Sequence, residues 1–137
     1  MSQRTCRLED EGGAGIAVEI VLGDADSEGW MGCEVHLVKD GVDVAACKSD
    51  LRQVDLANLV DGLRSTMDEA QRRRLRWAPA EPSFLAWAEA FNSGAIEVIF
   101  MVDSGLADGG ASTDSGVAVV VTVAPDALVT FCRELAG

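Results

Sequence analysis

Two apolar runs late in the chain constrain its fold more than any other feature. Residues 95–102 read AIEVIFMV and residues 116–124 read GVAVVVTVA. Both are dense in β-branched side chains and free of internal proline, which suits the pleated, half-buried surface of a sheet. We expect them to be the two central strands of one antiparallel sheet. Residues 103–115 (DSGLADGGASTDS) join them, a small, polar, glycine-rich composition that predicts a mobile hairpin loop.

Earlier segments carry the same period of two. Residues 3–8 can form an edge strand, and DEGGAG at 10–15 is a turn whose glycines permit positive φ. Residues 16–22 alternate, with Ile16, Val18, Ile20 and Leu22 on one face. After the polar loop GDADSEG at 23–29, residues 32–39 place Cys33, Val35 and Leu37 inward and Glu34 and His36 outward. Asp40-Gly41 is a two-residue hairpin signal, and residues 42–47 pair back with Val42, Val44 and Ala46 on one face.

The period then lengthens. Leu51, Val54 or Asp55, Leu59, Leu63 and Met67 recur at helical spacing, widened by Leu56 and Val60, which predicts an amphipathic helix over about residues 51–71. Ser49 or Asp50 would cap it. Arg72, Arg73, Arg74 and Arg76 follow, with Leu75 and Trp77 interleaved, as in an edge strand stopped by Pro79. We expect these arginines to solvate the strand or to pair with Asp61, Asp68 and Glu69. Residues 83–91 (SFLAWAEAF) suit a helix by propensity. Their shortness and the even spacing of Leu85, Trp87 and Phe91 favour a strand. Leu128, Phe131, Cys132 and Leu135 make one face of a last helix, with Pro125 in its first turn. The order implies an α+β fold: a single curved antiparallel sheet with two helices packed on one face. The 137 residues suffice for one domain, residues 1–137.

Composition narrows function chiefly by exclusion. Eleven Lys and Arg face 23 Asp and Glu, a formal net charge of −12, which repels nucleic acid and anionic lipid and attracts a basic partner. The longest wholly apolar run, residues 117–121, is too short to span a bilayer, and no signal peptide is visible. Cys6, Cys33, Cys47 and Cys132 form no C-x-x-C pair and there is one histidine, so no zinc spacing is present. We read them as buried free thiols of a cytoplasmic protein.

No catalytic set stands out. His36 lies beside Glu34 on an outward strand face, a pair that can in principle hold a metal or move a proton, but it lacks a second histidine or nearby cysteine. Asp24-x-Asp26-x-Glu28-Gly29 begins like a calcium loop, yet its twelfth position is Val35 where a glutamate is needed. Gly12-Gly13-Ala14-Gly15 sits in a hairpin and lacks the spacing of a phosphate loop. We therefore expect no cofactor and no metal. Trp30, Trp77 and Trp87 read as core or edge packing.

Residues 29–38 (GWMGCEVHLV), a helix carrying Leu56, Leu59 and Leu63, residues 75–84 (LRWAPAEPSF) and residues 117–123 before Pro125, Leu128 and Leu135 form a pattern of apolar positions plus one Glu-Pro. The pattern resembles the immunity-protein family associated with the WapI contact-dependent toxins, and related actinobacterial domains of unknown function. The resemblance implies a cytoplasmic, non-enzymatic protein-binding module that neutralises a basic toxin domain, and it transfers no site residue. The charge supplies the candidate partner-binding groups: Asp24, Asp26 and Glu28 in one loop and Asp103, Asp108 and Asp114 in the other. The alternative is a small-molecule-binding protein or enzyme with a pocket between sheet and helices, marked by polar groups such as His36 and Glu34.

Overall fold

The computed structural model describes residues 3–80, 83–102 and 116–137. Among them the chain forms β1 (Arg4–Glu9), β2 (Ile16–Leu22), β3 (Trp30–Lys39), β4 (Val42–Arg52), α1 (Gln53–Thr66), β5 (Leu75–Trp77), β6 (Phe84–Ala90), β7 (Ile96–Val102), β8 (Val117–Val123) and α2 (Pro125–Ala136). The fold is α+β, but the single sheet expected from the sequence is two. One four-stranded antiparallel sheet has the order β1-β2-β3-β4, the other β5-β6-β7-β8. The same succession, four strands then a helix, occurs twice. Helix α1 interrupts the meander after β4, so β5 opens a second sheet instead of extending the first.

Turn chemistry fixes the registers. Asp40 and Gly41 both take positive φ (51° and 79°), the backbone a two-residue hairpin needs to match strand twist. Close to that turn the β3–β4 register shifts between Leu37 and Val38: Leu37 opposes Ala45 and Val38 opposes Asp43. Val44 is the extra residue of a bulge. The bulge breaks the alternation expected for β4. Leu51 is buried while Val42, Val44 and Ala46 are exposed.

Inner faces of both sheets and both helices meet in one core. Sheet one contributes Cys6, Leu8, Ile20, Val35 and Leu37; sheet two contributes Phe84, Val98, Phe100 and Val121. Phe100 meets Phe131 of α2 edge to face, ring centroids 6.3 Å apart, a favoured aromatic geometry. The helices do not simply share one face of one sheet. α1 lies against β5 and β6, α2 lies against β1, and the helices touch each other. Each helix thus packs on the opening strand of the other half. Gly62 allows the α1 contact, because a Cβ there would fall 2.3 Å from Leu75 Cδ1. Arg4 secures the α2 contact: its guanidinium donates to the carbonyls of Glu134 (3.1 Å) and Leu135 (2.8 Å), groups left without partners at a helix C-terminus.

Helix α1 starts two residues later than its periodicity predicts and stops five earlier. Its N-cap position is Arg52 and carries no side-chain cap bond, so neither Ser49 nor Asp50 serves. Asp55 in the first turn does not cap the helix but ties its start to the chain around it. It is 6% exposed, its carboxylate meets Arg52 twice at 3.0 Å, and it accepts the Ala80 N–H at 3.1 Å. Its carbonyl accepts the Trp77 indole N–H at 2.9 Å. The Arg52 hydrogen bonds, aided by the Ala80 N–H, hold this carboxyl below its ordinary pKa despite opposing burial. Of the two candidates for the inward position, Asp55 is buried and Val54 is 53% exposed.

Candidate functional site

The loop between β2 and β3 is organised by its own acidic residue. Asp26 Oδ1 accepts the N–H groups of Glu28 (2.9 Å) and Trp30 (3.0 Å), and the Asp26 N–H donates to the Trp30 carbonyl at 2.8 Å. The Gln53 N–H donates to Gly29 O at 2.9 Å, tying the loop to the start of α1. Asp26 is therefore an internal brace as well as a charge, while Asp24 and Glu28 present exposed side chains. The other three predicted partner-binding residues, Asp103, Asp108 and Asp114, lie outside the described residues, as does the whole connection 103–115.

Beside this loop is a cleft of about 390 Å³. Leu56 and Val60 of α1 supply apolar wall, and Arg4, Asp24, Asp61 and Arg64 bring both signs of charge. Its size falls in the range of small-molecule sites. His36 and Glu34 do not line it.

Those two residues belong to the outward face of sheet one. His36 lies between Asp43, 2.9 Å from Nδ1, and Glu34, 3.2 Å from Nε2. Lys48 reaches Glu34 at 3.3 Å. The hydrogen bond to Asp43 is the largest influence on His36 and raises its pKa; burial opposes it, and the bond to Glu34 adds a smaller upward push. His36 and then Lys48 lower that of Glu34. The ring nitrogens point to opposite sides, so the two carboxylates bracket the imidazole and do not converge on one ion. Among the described residues no group of three or more His, Cys, Asp and Glu is placed to hold a metal ion. The arrangement is a cross-strand set of hydrogen bonds that becomes a set of ion pairs when His36 is protonated.

None of the four cysteines is in a disulfide; Cys6, Cys33 and Cys132 are buried and Cys47 is half-buried. Burial is the main cause that pushes the thiols up, Cys6 to about 11 and Cys33 to about 12, with Cys132 shifted the same way. Such thiols are poor nucleophiles at neutral pH. In the arginine island, Arg74 pairs with Glu89 of β6 at 3.0 Å, a cross-strand carboxylate and not one of the helix acids expected.

Sequence reasoning missed one surface. β6 is a strand as preferred, but Phe84, Ala86 and Ala88 face the core while Leu85 and Trp87 lie on the opposite face. Pairing then builds an outward row of Arg76, Trp87, Ile99 and Val120, and beside it a row of Leu85, Met101 and Ala118. The available signal was the unbroken run at 84–88, where small alanines mark the tightly packed side and the large ring marks the other. Among the described residues no helix is long and apolar enough to cross a membrane. The chain matches no family model and no curated protein sequence.

Proposed function

We propose that this chain is a non-enzymatic protein-binding module of the immunity type, which neutralises a basic toxin domain through acidic complementarity. The observation that carries the reading is the braced acidic loop: Asp26 spends its carboxylate on the N–H groups of Glu28 and Trp30, and Asp24 and Glu28 of the same loop are exposed. A pre-ordered loop loses little entropy on docking. A net charge of −12 speeds encounter with a cationic partner and rejects anionic ones. Cysteines without disulfides, three of them buried with raised pKa, suit a reducing cytoplasm. The test is whether a basic toxin domain is encoded beside this gene and, when co-expressed with this chain, is neutralised by it. Protection and a co-purifying complex are expected, with the Asp24→Asn, Glu28→Gln double variant associating about tenfold more slowly at low salt. Full toxicity, or an association rate unchanged by the double variant, would sink the reading.

The cleft favours a second reading, a small-molecule-binding protein or an enzyme. Arg4 and Arg64 would face an anionic group there, and Leu56 and Val60 an apolar one. A thermal-shift screen separates the two, since a ligand held by the native state raises Tm by mass action.

A further inference from the structure

The four sheet edges are not treated alike. α2 lies against β1. β4 carries the Val44 bulge and the charges Asp43, Lys48 and Asp50. β5 is three residues long and bears Arg76. Short strands, charges, bulges and covering helices are the usual ways an edge is kept from pairing with another chain. β8, VAVVVTV, has none of them among the described residues. Val117 is 45% exposed and Val120 41%.

Its backbone shows which groups are on offer. The Glu11 N–H donates to Thr122 O at 3.1 Å, and the Thr122 N–H donates to Asp10 Oδ1 at 2.8 Å. Thr122 therefore turns its peptide groups away from β7. In an antiparallel ladder such residues alternate, so Val120 and Ala118 do the same, while Val119 and Val121 bond to β7. The turn after β1 makes its hydrogen bonds to β8 at Thr122, and β1 and β2 also approach this strand, yet Ala118 and Val120 stay exposed. Val120 and Ala118 also end the two apolar outward rows on Ile99 and Met101.

The geometry points to β8 as a docking edge that takes an extended strand from a basic protein partner, continuing sheet two. This rests on the acidic-complementarity reading and gives it a surface. Charge selects the occupant. A second copy brings a further −12 and is repelled, whereas Asp10 and Glu11 at the Thr122 end, with Glu97 opposite Thr122, complement a cation. The incoming strand exchanges backbone hydrogen bonds with Ala118 and Val120, places apolar side chains beside them, and carries Lys or Arg beside Thr122.

The test uses the full chain, isotope-labelled, and a blocked synthetic peptide with valines at alternate positions and arginines at both ends. Backbone shifts should centre on residues 116–122, and amide exchange at Ala118 and Val120 should slow at least about tenfold. A glutamate-ended peptide should bind about tenfold more weakly. Val120→Pro removes only an outward N–H, so binding should be lost while the β7–β8 ladder stays protected. Exchange at Ala118 and Val120 in the unaltered chain decides the matter if that variant unfolds. Shifts confined to the 23–29 loop, equal binding of both peptides, or self-association through β8 in sedimentation would each overturn the assignment. A basic toxin domain that binds while Ala118 and Val120 exchange freely overturns β8 docking and leaves the acidic-loop reading standing.

Discussion

On the first sheet the outward rows run Arg7–Glu19–His36, Val21–Glu34–Lys48 and Glu9–Ala17–Val38–Asp43, of which Ala17 and Val38 are buried; on the second they run Arg76–Trp87–Ile99–Val120, Leu85–Met101–Ala118 and Glu89–Glu97–Thr122. The first face is stitched by ion pairs: Arg7 with Glu9 and Glu19, His36 with Glu34 and Asp43, Lys48 with Glu34. The second is apolar at its centre and charged at one border, where Arg74 meets Glu89. The inner faces are alike, aliphatic and aromatic and joined in one core. What separates the sheets is therefore what each offers to solvent. A face whose charges satisfy each other has little left for a partner, whereas exposed valines and a half-buried indole are stabilised by being covered.

Four measurements break or sharpen that contrast. Phe100→Ala removes an inner-face ring packed on Phe131 and should cost about 3–5 kcal/mol in denaturant melts; if Trp87→Ala costs as much, the inner and outer faces of sheet two are not distinct. Asp55→Ala deletes the buried carboxylate that joins Arg52 and Ala80 and should cost about 2 kcal/mol. Because the folded pKa of Asp55 is depressed, its contribution is present above the unfolded carboxylate range and is lost as pH falls through the folded value. The Asp55→Ala penalty should thus shrink in acid, and a penalty independent of pH would deny the charge its role.

Ile99→Lys, on the outward row, should leave stability within about 0.5 kcal/mol while lowering the binding of an apolar dye; an unchanged dye signal would show that this face is not the sticky one. His36→Gln should likewise cost little, below about 1 kcal/mol. His36 has a raised folded pKa, so its stabilisation is full below the unfolded value near 6.5 and disappears as pH rises through the folded one. The variant should differ from the parent in mildly acidic buffer and match it in alkaline buffer. The reverse order would contradict the bracketed imidazolium.

Strands and helices were readable in the chain, because alternation and helical spacing are local signals. Among the described residues all eight strands and both helices lie where periodicity predicts them, within a few residues at most ends; β4 runs on to Arg52 and α1 stops at Thr66. The division into two sheets was not readable. Every strand shows one apolar face whichever sheet it joins, and nothing local states that β4 and β5 do not pair. Parity failed in β4, where the Val44 bulge adds a residue; in β6 parity marked a strand but not its inner face, and the alanines, not the tryptophan, face the core. The acidic loop at 23–29 was legible as charge, but the bracing role of Asp26 depends on where Trp30 falls after the turn. Asp55 looked like one of two candidates for an apolar stripe; its partner Ala80 is far along the chain and no spacing announces it.

The exchange of helices between the halves has a consequence for how the protein can be cut. A fragment ending after α1 would carry a helix whose proper bed, β5 and β6, is missing, and would leave β1 bare where α2 belongs. The complementary fragment would have the mirror defect. Each piece alone should be insoluble or loosely collapsed, yet mixed from denaturant they should reassemble, which makes the segment between α1 and β5 a natural place to split this protein into a two-part reporter.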